Sequence, residues 1–307
     1  MSKLDSRPGH DLAGAQWQAL RQARYTDPEA FQQCLPGRRR RPLLTGDQRL
    51  LIVAADHPAR GALDVGGQPM AMASRRELLQ RLCTALARPG VDGVLGTPDI
   101  LEDLAWLGAL DGKLAFGSMN RGGLRGSVFE IDDRYTAYDV QSLLAAQLDA
   151  GKLLVRIDLA DGASASTIEA SAAAITAAAQ ARLPIVLEPF MSTRVDGDIR
   201  NHLCPEAVMT AVAIASGLGA SSAYSWLKLP VVPQMERILD STTLPTLLLG
   251  GDTGDNQEAM FTTWESALAL PGVRGLVVGR RLLYPADDDV PGAVDVAARL
   301  VHGGLST

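Results

Sequence analysis

Cysteine is scarce in this chain of 307 residues: Cys34, Cys83 and Cys204 are odd in number and far apart. That spacing suggests neither a disulfide framework nor a thiolate metal motif. Cys83 falls in an apolar helical pattern and reads as a core thiol. Histidine is nearly as rare. Of His10, His57, His202 and His302, His57 alone follows an apolar strand-like run, so a multi-histidine zinc site does not fit, and neither a metal nor another cofactor is expected. No apolar run reaches membrane-spanning length and the N-terminus lacks a signal-peptide pattern, so a cytoplasmic protein without a membrane partner is expected. Positive charge is in the minority. The formal net charge is −6 and the pI about 5.3, which argues against a nucleic-acid partner. Walker loops, nucleophile elbows and Cys-x-x-Cys pairs are missing as well.

What is present is an ordinary globular composition, 47% hydrophobic and 21% charged. Residues 1–45 carry no strand signal. Helical patterns over 11–23 and 28–35, with Asp27 as an N-cap before Pro28, read as an N-terminal helical arm. From residue 46 onward, short apolar runs alternate with helical stretches. The runs are 50–55, 93–95, 113–117, 152–157, 184–187, 223–229, 246–249 and 275–278. Helical patterns follow at 74–87, 100–107, 137–149, 166–181, 205–216, 235–240, 256–269 and 292–301. Continuous apolar runs are what parallel strands covered by helices require. Eight such units predict an α/β fold, a (β/α)₈ TIM barrel over residues 46–307. A doubly wound sheet would need a glycine-rich turn after the first run, and Asp56-His57-Pro58-Ala59 is not one. The run Arg38-Arg39-Arg40-Arg41 reads as a solvated segment before the first strand, with an anion or subunit contact as the alternative.

A barrel of this kind puts chemistry at the C-terminal ends of its strands. The sixth run, Ser222 to Pro230, carries Tyr224, Trp226 and Lys228 on one face. A buried ammonium is costly, and a lowered pKa or a carboxylate partner relieves the cost. Both conditions suit an amine that attacks a carbonyl, whereas the plain alternative is a lysine that snorkels to solvent. Asp56 ends the first run and either pairs with Lys228 or merely forms an Asp-x-Pro turn. His57 beside it is a proton carrier or a supporting hydrogen-bonder. Asp99 after the second run starts a helix or touches substrate. The loop Ser118-Met119-Asn120-Arg121-Gly122-Gly123 could bind an anion through Arg121, close as a lid, or be an ordinary loop. Lys152, Leu154, Arg156 and Asp158 share one parity of the fourth run, and such charges pair or meet ligand. Arg156 is the candidate for a substrate carboxylate or a buried pair. Glu188 ends the fifth run as a second carboxylate at the mouth. Gly250-Gly251-Asp252 and Gly279-Arg280-Arg281 end the last two runs, where barrels often bind phosphate. Gly250, Gly251, Gly279 and Arg280 are the candidate phosphate-binding residues.

Asp56-His57, Lys228, the Gly-Gly at 250–251 and Gly279-Arg280 resemble the class I, Schiff-base aldolases with (β/α)₈ folds. These are the archaeal-type fructose-bisphosphate, tagatose-bisphosphate and deoxyribose-phosphate aldolases. Ala54-Ala55-Asp56-His57-Pro58, Ser118 to Gly123, Trp226-Leu227-Lys228-Leu229-Pro230 and Val278-Gly279-Arg280 are similar to an actinobacterial barrel family found with inositol-catabolism genes. The Leu-Pro after Lys228 departs from the archaeal-type enzymes, which bears on the substrate.

The resemblance implies a lyase in which Lys228 forms a Schiff base with a phosphorylated keto sugar or keto sugar acid. In that scheme Asp56 or Glu188 accepts the hydroxyl proton, and His57, Arg121, Lys152 and Arg156 contact substrate. It points further to cleavage of 6-phospho-5-dehydro-2-deoxygluconate to dihydroxyacetone phosphate and malonate semialdehyde, by a homo-oligomer. Two other readings stay open: a sugar-phosphate isomerase or epimerase on the same barrel, and a non-catalytic sugar-phosphate-binding barrel.

Overall fold

The computed structural model describes residue 12, residues 14–250 and residues 257–303. The strands in these residues are β1 (Leu50–Ala54), β2 (Gly93–Gly96), β3 (Leu114–Ser118), β4 (Ala150–Ile157), β5 (Ile185–Val195), β6 (Asp198–Asn201), β7 (Ser225–Leu229), β8 (Thr246–Leu249) and β9 (Val273–Val278). All but β6 lie parallel in the order β4-β3-β2-β1-β9-β8-β7-β5. Strand β5 pairs back onto β4, so the eight parallel strands close into a (β/α)₈ TIM barrel. The helices are α1 (Gly14–Thr26), α2 (Pro28–Cys34), α3 (Arg75–Leu86), α4 (Pro98–Trp106), α5 (Val140–Ala145), α6 (Ala163–Gln180), α7 (Pro205–Ser216), α8 (Met235–Leu239), α9 (Gln257–Leu268), α10 (Arg280–Leu283) and α11 (Val290–His302).

The apolar runs form strands because both of their faces are buried. Alternation divides each run between two cores. Leu50, Ile52, Ala54, Leu114, Phe116, Ala150, Val186 and Val277 fill the barrel interior. Leu51, Val53, Val94, Ala115, Leu153 and Val155 face the helices. The inward rows then continue into polar residues at the upper end. Leu50, Ile52 and Ala54 lead to Asp56; Leu114 and Phe116 lead to Ser118; Val186 leads to Glu188; Trp226 leads to Lys228. The barrel closes tightly where β9 meets β1. A Cβ at Gly275, whose φ is +132°, would lie 1.9 Å from Leu50 O, and one at Gly279 would lie 2.1 Å from Ala54 O. Glycine is therefore required at both positions by close approach.

Two expected elements differ. The helical pattern over 137–149 yields only α5, because Asp139 caps it by accepting from Ser142 N at 2.7 Å and Gln147 takes φ +51°. The fifth run does not stop at 187. Strand β5 continues to Val195, turns at Asp196-Gly197 (φ +53° and +93°) and returns antiparallel as β6. Asp-Gly with positive φ at both residues is a hairpin turn, and the sequence carries that signal.

The arginine run is solvated only in part, at Arg39 and Arg40. Arg38 is buried and donates to Asp149 at 2.6 Å; Arg40 meets the same carboxylate at 2.8 Å. Arg41 donates to Asp92 at 2.5 Å. The two aspartates precede β4 and β2, and each also accepts from a strand backbone: Asp149 from Ala115 N, Asp92 from Leu51 N. Leu43 and Leu44 pack onto the interior cluster. Residues 38–44 thus stop the N-terminal end of the barrel. Ahead of them, Arg24 pairs with Asp103 of α4 at 2.6 Å and lies 4.0 Å over Phe31, and Phe31 stacks on Trp106. Among the described residues, no helix is long and apolar enough to cross a membrane.

Candidate active site

At the opposite end, register sets the polar residues side by side. Ser118 pairs in register with Lys152, and Leu187 with Leu227, which brings Glu188 next to Lys228. Lys228 Nζ lies 2.6 Å from Glu188 Oε1. Lys152 Nζ contacts the other oxygen of Glu188 and lies 3.3 Å from Asp56 Oδ2. Asp56 Oδ2 also accepts from Ser118 Oγ at 2.9 Å and lies 3.3 Å from Arg121 Nη1. Asp56, Ser118, Arg121, Lys152, Glu188 and Lys228 are all buried. The charged side chains form one connected chain, Lys228–Glu188–Lys152–Asp56–Arg121, with three cations against two anions.

Burial and charge pull these groups in opposite directions. For Asp56, burial favours the neutral acid, but Lys152, Arg121, His57 and Lys228 outweigh it and hold the carboxyl well below its usual range. Glu188 is held at about 2, since Lys152 and Lys228 outweigh its own burial. Both carboxylates are therefore ionised at neutral pH. Lys152 is lowered, because burial of the ammonium outweighs its attraction to Asp56 and Glu188. His57 is pushed down to about 3, by burial first and also by Arg280 and Lys228, against the pull of Asp56. Its Nδ1 lies 3.8 Å from Asp56 Oδ1 and has no hydrogen-bond partner in the protein. A neutral imidazole is therefore the form at the site.

The remaining expected residues are placed as follows. Arg121 is buried; its Nε donates to Asn120 O at 2.7 Å and its Nη1 to Asp56 O at 3.3 Å, while its Nη2 has no hydrogen-bond partner in the protein. Its loop is tied down by hydrogen bonds. Gly123 N donates to Asp133, Gly123 O accepts from Arg60, and Gly126 N donates to Glu130. Arg156 belongs to that anchorage. It forms a buried pair with Glu130 at 2.5 Å and donates to Glu130 O at 2.6 Å. Asp158 accepts from Ala160 N and Arg194 N, and Asp99 sits in the first turn of α4. Gly250 and Gly279 directly follow the adjacent strands β8 and β9. Arg280 begins α10, is partly exposed, and reaches Asp64 O at 3.2 Å. Gly251 and Asp252 lie outside the described residues.

Sequence reasoning missed the roles of three residues. Ser118 stands on the inward parity of β3, which would have pointed to it. Asn120 accepts from Leu154 N at 2.8 Å and donates back to Leu154 O, so its amide completes the β3–β4 edge. Glu130 lies in a loop, and nothing in the sequence joins it to Arg156 and Arg60.

Solved barrels that share this fold include aldolases. A Schiff base-forming fructose-1,6-bisphosphate aldolase aligns with a TM-score of 0.63 and 21% identity, over 89% of this chain and 100% of its own. An archaeal fructose-1,6-bisphosphate aldolase, whose catalytic lysine is covalently bound to the carbinolamine intermediate, aligns at 0.64 and 20% with the same coverage. At that identity the likeness is one of fold. The chain itself belongs to the Cgl0159-like family, whose model matches residues 48–298. The crystal structure of Cgl0159 from Corynebacterium glutamicum (Brevibacterium flavum) aligns with a TM-score of 0.93 and 58% identity, covering 95% of this chain and 99% of that one. No curated protein matches the sequence.

Proposed function

We propose that the protein is a class I aldolase in which Lys228 forms a Schiff base with a phosphorylated keto sugar or keto sugar acid. The observation that carries this reading is the buried trio in which Glu188 is shared by Lys228 and Lys152. A buried lysine that must become a free amine needs somewhere for its proton to go. Lys152, lowered by burial, can give up its own proton and then take one from Lys228 across Glu188.

Lys228 Nζ bonds the ketone carbon, and the carbonyl oxygen takes two protons and leaves as water. The iminium draws in the electron pair of the adjacent carbon–carbon bond while the hydroxyl on the departing carbon gives its proton to a carboxylate. Asp56, ionised and oriented by Ser118 and Arg121, suits that role. An aldehyde leaves, the enamine carbon takes a proton, and water hydrolyses the iminium to release the ketone. Gly250, Gly279 and Arg280 would hold a phosphate beyond the ends of β8 and β9. The substrate we propose is 6-phospho-5-dehydro-2-deoxygluconate, giving dihydroxyacetone phosphate and malonate semialdehyde.

Borohydride reduction in the presence of dihydroxyacetone phosphate tests the mechanism. The expected result is a stable adduct on the peptide carrying Lys228. Turnover that persists in Lys228→Ala without any adduct would overturn the Schiff base and favour an isomerase or epimerase. The substrate is tested separately, by comparing kcat/KM for the deoxygluconate with that for fructose 1,6-bisphosphate.

A further inference from the structure

Asp64 lies in the β1–α3 loop, beyond the residues assigned a chemical role above. Its carboxylate pairs with one arginine and faces a second, both from other parts of the mouth. Arg125, from the β3–α5 loop, pairs with Oδ1. Arg280, at the end of β9, has Nη1 at 4.0 Å from Oδ2 and donates to the Asp64 backbone oxygen at 3.2 Å. The loop is braced for this. Val65 and Gln68 exchange backbone hydrogen bonds at 3.1 and 2.9 Å across Gly66-Gly67, and Met72 N bonds Leu63 O at 2.9 Å at the base. All three charged side chains are partly exposed, at 36% for Asp64, 39% for Arg280 and 53% for Arg125.

Exposed ion pairs are weak and easily exchanged, whereas a phosphate dianion offers a guanidinium more charge and more acceptor oxygens than a carboxylate. We propose that Asp64 is an intramolecular competitor for Arg280: it occupies the arginine until a phosphate monoester dianion displaces it, and so disfavours monoanionic ligands. This rests on the phosphate position proposed above.

The test is equilibrium binding of inorganic phosphate and of acetate at fixed ionic strength. Asp64→Asn should bind phosphate about fivefold tighter and lose part of its preference over acetate, while Asp64→Glu stays near wild type. Arg125→Gln should act in the opposite sense: Asp64, freed from Arg125, turns to Arg280, and phosphate binds about threefold weaker. The gain in Asp64→Asn should vanish when Arg280→Met is added. Asp64→Asn binding phosphate no tighter than wild type would overturn the proposal. Should that variant fail to fold, unchanged or tighter binding in Arg125→Gln would do the same. Phosphate binding by neither wild type nor any variant, with Lys228 still trapped by ketones, would instead remove the phosphate position itself.

Discussion

The two ends of the barrel carry the same kinds of charge and use them differently. At the N-terminal end, Asp149 and Asp92 spend their oxygens on arginines and on strand N–H groups at once. His302 joins them, 2.6 Å from Asp47 and 3.2 Å from Asp92. Asp149 and Asp92 are tied to backbone and to guanidinium forks that cannot give up a proton, and His302 is the one titratable partner among the contacts named. At the C-terminal end, Glu188 is shared by two lysines, and Asp56 is held by side chains. Lysine amines can exchange protons and change partners. Charge tied to backbone fixes the fold, and charge tied to lysines is free for chemistry.

Substitutions at each end put that contrast at risk. The largest effect is expected for Lys228→Met, a loss of at least about 10³-fold in kcat with an unchanged thermal midpoint. Asp149→Asn should do the reverse. It strands the buried Arg38 guanidinium, and denaturant unfolding should record a loss of about 3–5 kcal/mol while kcat per folded molecule is kept. If Asp149→Asn instead removed activity without loss of stability, the division between the two ends would fail. Glu188→Gln keeps the shape but not the charge between the lysines, and should lower kcat about 10²-fold.

The smallest effect belongs to His302. Its pKa is raised to about 9, chiefly by the hydrogen bond to Asp92 and also by Asp47. A raised histidine stabilises fully below its unfolded value near 6.5, and that stability disappears as pH rises through 9. With allowance for solvent screening the loss is roughly 1–2 kcal/mol, seen as a falling unfolding free energy between pH 6.5 and 9.5 that is flat in His302→Gln.

The mouth was legible in sequence where period-two alternation could be followed. Asp56, Lys152, Glu188 and Lys228 each continue an inward apolar row, so strand parity alone aims them at one point. The N-terminal end was not legible, because its pairs are made across long separations. Arg38 and Asp149 are 111 residues apart, and no local pattern marks either as a partner. Arg156 shows the boundary between the two cases. Its parity correctly put it inside, but its partner Glu130 sits in an irregular loop, where periodicity carries no information. The β5–β6 hairpin escaped for another reason. Glu188-Pro189 interrupts the apolar run, so the strand looked finished although its backbone pairing with β4 continues to Met191.

The contact of His302 with Asp47 spans 255 residues. Residues 38–47 are made early, yet their partners just before β2 and β4 and on α11 come much later. Loop closure over such distances is entropically costly and slow. The lower seal of the barrel is therefore one of the last things the chain can complete. During synthesis Arg41 must wait unpaired until Asp92 emerges, Arg38 and Arg40 until Asp149 does, and Asp47 until α11 does. A ribosome-bound chain stopped before residue 290 should hold its early strands and the arginine pairs but lack the His302 contact, and protease should cut first beside Asp47.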